Sequence, residues 1–162
     1  MAKQKEEKTN VMRILEQHGI PYTPHTYEHE EGVAVDGVTV ARSLNQDSEC
    51  VFKTLVARGA SKGIYVFAIP VADSLDLKKA AKAVGEKSIE MVAVKEINAL
   101  TGYVRGGCSP VGMKKEYPTV FHETAEIIDT IMVSAGKIGY QVAVKPQDLI
   151  ALVRAVTADV IV

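Results

Sequence analysis

Cysteine is scarce in this chain: Cys50 and Cys108 are its only thiols in 162 residues. With so few thiols, and with the polar start Met1-Ala2-Lys3-Gln4-Lys5 in place of an export leader, a reduced, cytoplasmic setting is expected. Net charge is nearly absent as well. Lys and Arg number 19 against 20 Asp and Glu, leaving -1, which excludes the whole-molecule basic field of an autonomous nucleic-acid binder. A nucleic-acid partner would have to be held by a local patch or through another protein. No apolar run approaches a membrane span, so no membrane partner is expected. Internal repeats, low-complexity tracts and linkers are missing. So is Gly-x-Ser-x-Gly, and no motif sets a histidine and a carboxylate beside a serine as a triad needs.

What is present is enough apolar material, 47%, for one domain with one sizeable core across residues 1–162. Its most irregular stretch is Gly106-Gly107-Cys108-Ser109-Pro110-Val111-Gly112, entered through Gly102-Tyr103-Val104-Arg105 and left through Met113-Lys114-Lys115. Three glycines and a proline in seven residues preclude ordinary helix or central strand, because glycine enters positive φ freely and proline removes a donor while fixing φ. Such a loop bares main-chain N–H and C=O groups that can hold a small polar ligand. It lies between two apolar stretches, where scaffolds present functional loops.

Helices are expected between Thr9 and Gly19, after Asp36 with Val40, Ala41 and Leu44, from Asp76 to Val84, from Val94 to Leu100, and from Pro146 through Val156. In the third, Leu77, Ala80, Ala81 and Val84 should face inward and Lys78, Lys79 and Lys82 outward, as a solvated face or a phosphate contact. Thr23 to Glu28 reads as extended. Cys50 to Arg58 and Ile64 to Ile69 read as a hairpin, with further strands at Thr119 to His122, Ile131 to Ala135 and Tyr140 to Val144, and an edge strand at Val160 to Val162. Tight turns between neighbouring strands predict a mixed or antiparallel sheet rather than a doubly wound one.

Within the first hairpin strand Val51, Lys53 and Leu55 share a face. Lys53 is the misfit: its amine either reaches the rim or enters a pocket as a cation for a phosphate or carbonyl oxygen. Ser134 faces away from Val133 and Ala135 and, alone on a strand, reads as structural. Cys108 has cationic and amide neighbours that could lower a thiol pKa, but no paired histidine. His25, Glu28, His29, Glu30 and Glu31 have the composition of a metal site without its spacing, since His-x-x-x-His serves zinc on a helix and this stretch is extended; a solvated acidic segment, with no metal, is expected.

Together, His25-Thr26-Tyr27-Glu28-His29, Val51-Phe52-Lys53-Thr54-Leu55-Val56, Asp76-Leu77-Lys78-Lys79-Ala80-Ala81-Lys82, the run from Gly102 to Lys115, Val133-Ser134-Ala135-Gly136-Lys137 and Pro146-Gln147-Asp148-Leu149 resemble the YbaK/EbsC family. These are free-standing aminoacyl-tRNA deacylases related to the editing insertion domain of bacterial prolyl-tRNA synthetases. The resemblance implies an α+β fold, with a mixed, largely antiparallel, barrel-like sheet flanked by helices. It implies hydrolysis of mischarged aminoacyl-tRNA without a cofactor, cysteinyl-tRNA(Pro) foremost, with the substrate's own thiol attacking its ester and prolyl-tRNA synthetase as partner. It assigns catalytic roles to Lys53, Gly106 and Ser134, and substrate contacts to Tyr27, Gly107, Ser109, Pro110 and Gly112. The tRNA contacts fall to Arg105, Lys114 and Lys137. Relatives vary at Cys108, which speaks against a protein nucleophile. Two departures stand out: Ile138 occupies a position where many relatives carry arginine, and Glu31 to Asp36 has no clear counterpart, so the pocket rim should differ there. Deacylation of alanyl-tRNA(Pro) by water and a non-catalytic tRNA-binding or regulatory role are the alternatives.

Overall fold

The hairpin expected around Gly59 to Gly63 anchors the architecture of this computed structural model, which describes residues 8–162. The start at residues 1–5, read above as lacking a leader, lies outside the described residues. Strands β2 (Phe52–Gly59) and β3 (Ile64–Pro70) pair antiparallel in the register Phe52↔Pro70 to Arg58↔Ile64. A short strand β4 (Ile89–Met91), which has too few residues to show a period, joins the outer edge of β2. On the other side, β5 (Thr119–His122) pairs parallel with β3, and β8 (Val156–Ala158) parallel with β5, giving the five-stranded order β4-β2-β3-β5-β8. The remaining strands, β1 (Tyr22–Thr26), β6 (Ile131–Ser134) and β7 (Tyr140–Val144), form a three-stranded antiparallel sheet in the order β1-β7-β6.

The mixed sheet and flanking helices follow expectation, but the strands do not close into a barrel. Main-chain pairing between the two sheets is limited, among the described residues, to one isolated parallel bridge, Val51↔Met132, where the Met132 N–H donates to the Cys50 carbonyl at 2.8 Å. Beyond that bridge β2 and β6 form no further ladder, and the gap between them is the cavity described below.

The described residues form five α-helices, α1 (Asn10–Gln17), α2 (Gly37–Ser43), α3 (Leu77–Val84), α4 (Val94–Thr101) and α5 (Pro146–Val153). Thr9, Asp36 and Asp76 cap the first three by accepting backbone N–H bonds, as their side chains favour. Alternation along the larger sheet buries both of its faces. Phe67, Ile69 and Val120 pack with Ala80 and Ala81 of α3, whereas Ala68 and Phe121 join Val11, Leu15, Val133, Val142 and Leu149 between the sheets, α1 and α5. Each large side chain removed from water in this way contributes roughly 1.5–3 kcal/mol.

Three local expectations are corrected. Leu77, at the start of α3, is 41% exposed rather than inward. Of the outward lysines, Lys79 is bound to Asp159 at 2.9 Å and to the Ile161 carbonyl at 2.8 Å, tying the chain end to α3. Finally, α5 ends at Val153 because Arg154 turns left-handed at φ 55. Val156 and Thr157, β-branched and suited to a strand, then take the sheet edge beside β5, while Ile161 makes only a single bridge to Leu75. No helix among the described residues is long and apolar enough to cross a membrane.

Candidate active site

A cavity of about 670 Å³ opens where the two sheets part. Its walls include Val51 with Phe52 to Leu55 of β2, Ala34 to Val38 before and within α2, Arg105, Gly106 and Cys108 of the glycine-rich loop, Ser134 of β6 and Gln141 of β7. Tyr27, buried just past β1, also lines it.

Lys53 lines the cavity, half-buried, with Nζ donating to the Val71 carbonyl at 3.3 Å. Burial holds its pKa below the ordinary lysine value, with Asp73 acting in the opposite direction. An ammonium in poorly hydrated surroundings with an incomplete set of acceptors is suited to meeting an oxygen that gains negative charge.

The glycine-rich loop is shaped by contacts that only glycine allows. Gly106 has φ +87, and a Cβ there would come within 2.7 Å of Ala34 Cβ. The loop thereby lies directly on the 34–38 segment. A Cβ on Gly107 would stand 3.1 Å from the Ile138 backbone nitrogen, so this residue packs against the turn after β6. Ser134 joins the two: its Oγ donates to the Gly107 carbonyl at 2.9 Å and accepts from the Gly136 N–H at 3.1 Å.

The remaining expected site residues divide by position. Tyr27, Lys53, Arg105, Gly106 and Ser134 meet at the cavity. Gly107, Ser109, Pro110 and Gly112 are not in its lining. Ser109 is fully buried, its Oγ accepting from the Val111 N–H at 3.3 Å, while Gly112, at φ +79, stands against Tyr103 and Ile14. These residues set the loop's course. Lys114 lies exposed over Gly102, and Lys137 is exposed with Nζ 5.2 Å from the Tyr140 ring centroid, neither of them in the cavity wall. Ile138 is buried against the loop.

Cys108 lines the cavity, but its environment is the opposite of an activating one. Burial pushes the thiol up to about 11, outweighing a hydrogen bond with Thr101 that lowers it. At neutral pH it is a thiol and a poor nucleophile. His29, in the segment with metal-like composition, packs its ring on Gly139, and its Nδ1 lies 3.4 Å from the Tyr27 carbonyl.

Sequence reasoning missed Thr54 and Gln141, both in the lining and both carrying a buried side-chain oxygen with no partner, Thr54 Oγ1 and Gln141 Oε1. For Gln141 a signal existed: it is the polar residue alternating with Val142 and Val144 on a strand. Of Glu31 to Asp36, where the rim was expected to differ, Ala34, Val35 and Asp36 line the cavity, followed by Gly37 and Val38.

Residues 32–152 match the family model described as an aminoacyl-tRNA editing domain. The chain is 44% identical over 161 residues, 99% of its own length and 98% of the relative's, to EbsC of Enterococcus faecalis, named as a proposed Cys-tRNA(Pro)/Cys-tRNA(Cys) deacylase. Among solved structures, a hypothetical protein superposes with a TM-score of 0.83 at 22% identity, covering 96% of this chain and 100% of the other. Another, described as a proposed trans-editing enzyme for prolyl-tRNA synthetase, superposes with a TM-score of 0.79 at 24% identity, covering 94% of each chain. At these identities the two superpositions establish the shared fold. With the family match and a relative of the same length at that identity, the chain belongs to the aminoacyl-tRNA editing domain family.

Proposed function

We propose that this protein deacylates mischarged aminoacyl-tRNA, with Cys-tRNA(Pro) as its principal substrate. The observation that carries the reading is the full-length 44% identity to a relative named for that substrate. The cavity supports it: Lys53 faces a space of about 670 Å³, ample for a terminal nucleoside with its aminoacyl ester, and the one cysteine in its wall is held protonated.

The resemblance implies that the nucleophile is the substrate's own sulfur, and a Cys108 unsuited to attack agrees with that. A bond forms from that sulfur to the ester carbonyl carbon as the bond to the ribose oxygen breaks. The thiol proton passes to that oxygen, and the resulting four-membered thiolactone takes up water to give cysteine. The protein's part is to hold sulfur and carbonyl within reach and to stabilise the oxygen charge through Lys53. The Gly106 backbone, Ser134 and Tyr27 position the ester, and Arg105, Lys114 and Lys137 contact the tRNA. Contacts of that kind to phosphate give salt-dependent affinity without sequence information. The choice of tRNA therefore falls to a partner, prolyl-tRNA synthetase, in the cytoplasm where it charges its tRNA.

A deacylation panel of cysteinyl-, alanyl- and prolyl-tRNA(Pro) tests the reading. Rapid loss of the cysteinyl ester alone is expected. Preferential loss of the alanyl ester would replace the substrate thiol with water, and no turnover of any ester would leave a binding role. Titration with tRNA at physiological salt, with and without the synthetase, tests the partner: tight, tRNA(Pro)-selective binding by the isolated protein would remove it.

A further inference from the structure

Buried hydrogen-bonding atoms in proteins are nearly always paired, and Gln141 departs from that rule. It lies in β7 directly across from Ser134 of β6. Alternation places both on the face opposite Val133 and Val142, which belong to the main core. Both residues line the cavity, and Gln141 is only 7% exposed, with its Oε1 unpartnered.

Three other polar groups of the wall are committed or differ in kind. Ser134 already donates to Gly107 and accepts from Gly136. The Asp36 carboxylate accepts from the Thr39 N–H at 3.0 Å and the Thr39 hydroxyl at 2.6 Å, holding the start of α2. Thr54 has a hydroxyl, which can donate as readily as accept. Gln141 Oε1 can only accept, so what it lacks is a donor.

We infer that Gln141 receives the α-ammonium of the bound aminoacyl group and thereby restricts the site to esters whose amine is free. The inference rests on the reading that the cavity holds an aminoacyl ester. Among the donors of such an ester, the ammonium is the charged one and the costliest to bury unpaired. A hydrogen bond from a charged donor to a buried carbonyl is also stronger than a neutral one. The cations of the wall, Lys53 and Arg105, repel an ammonium, so its acceptor has to stand on another element. Gln141 does, on the three-stranded sheet, while Lys53 projects from β2. Esters with an acylated amine, peptidyl-tRNA among them, lose the charge and are refused.

The probes are two stable amide analogues of the substrate end, 3′-cysteinylamino-3′-deoxyadenosine and its 3-mercaptopropionyl counterpart, which keeps the thiol and lacks the amine. Their binding to wild type, Gln141→Met and Gln141→Glu is measured by calorimetry, and turnover of cysteinyl- and N-acetylcysteinyl-tRNA(Pro) is followed in parallel. Wild type should prefer the amine-bearing analogue by about tenfold to a hundredfold, the range of a buried hydrogen bond to a charged group. Gln141→Met should lose that preference by weakening only the cysteinyl analogue, and Gln141→Glu, which keeps the acceptor, should retain it. Equal preference in Gln141→Met and wild type overturns the inference, as does binding of neither analogue. Absence of cysteinyl-tRNA(Pro) turnover with a Gln141-dependent amine preference intact would reject the deacylase reading and leave the subsite standing.

Discussion

The far end of the β2–β3 hairpin and the cavity between the sheets are both rich in polar side chains, and they use them in opposite ways. At the hairpin end Ser61, Tyr65, Glu86 and Arg58 all have protein partners. Glu86 accepts from the Ser61 N–H at 3.2 Å, from the Ser61 hydroxyl and from Tyr65 at 2.6 Å, and Arg58 pairs with Glu96 at 3.0 Å. In the cavity Lys53 has one backbone acceptor, while Thr54 Oγ1 and Gln141 Oε1 have no hydrogen-bond partner. Completed bonding locks a turn; bonding left open at a buried site costs stability unless a ligand completes it. Polar content alone does not distinguish the two regions, whereas the state of its hydrogen bonds does.

The sharpest way to break this contrast is at Lys53. Lys53→Ala should leave the fold intact and lower deacylation of cysteinyl-tRNA(Pro) by about 10²-fold or more, the loss typical of a group acting on developing oxygen charge. Single-turnover assays beside a thermal melt measure both, and near-normal turnover would remove Lys53 from the chemistry. Gly106→Ala comes next. With φ +87 and a Cβ 2.7 Å from Ala34, it should destabilise the protein by about 1–3 kcal/mol in a urea titration and cut turnover by displacing the loop from the 34–38 segment.

At the hairpin end the same assays should separate stability from activity. The Arg58 and Glu96 side chains are 26% and 37% exposed, so their pair is screened by solvent, and Glu96→Gln should shift the urea midpoint only slightly with turnover unchanged. Cys108→Ser should likewise keep its activity, since the thiol is held up at about 11. Inactivity of a folded Cys108→Ser protein, together with a trapped acyl-enzyme in the wild type, would place the nucleophile on the protein.

The smallest effect is a pH dependence. Burial lowers the Lys53 pKa in the folded state, so between that lowered value and the ordinary lysine pKa near 10.4 the unfolded chain binds more protons than the folded one. Stability contributed through this group therefore rises with pH across that window. Lys53→Met should exceed wild type in stability at neutral pH by a margin that shrinks toward pH 10; urea midpoints at several pH values read it, and a margin that grows with pH would contradict the burial.

Much of this arrangement was legible in the chain itself. Caps at Thr9, Asp36 and Asp76, the hairpin around Gly59 to Gly63 and the turn at Gly136 to Gly139 are local devices, and local devices leave a mark in sequence. The prominence of Lys53 followed from one charge among β-branched neighbours. What sequence did not show depends on partners far away in the chain. Whether Gly106 faces the cavity and Gly107 the turn is decided by Ala34 and Ile138, and the fate of Val156 by the open edge of β5. Ile138, read as a missing phosphate contact, is buried under the loop, where its apolar side chain packs. Lys79 looked like a solvated cation until Asp159, eighty positions on, took it up.

The lone bridge between Val51 and Met132 carries a consequence for how the molecule assembles and breathes. Pairing of β2 with β3 closes a short turn and pays little loop entropy, whereas joining β2 to β6 draws together residues well separated along the chain. The hairpin is therefore expected to form early and the seam late. Reversed in time, the seam is the first line to part, so the cavity widens in brief excursions while both sheets stay folded. The Met132 amide, whose bond to the Cys50 carbonyl spans that line, should exchange its hydrogen well before those of the Val56↔Val66 ladder. It should slow once a substrate analogue contacts Lys53 on one side and Gln141 on the other, since a ligand of that reach fastens two sheets that the backbone itself joins at a single point.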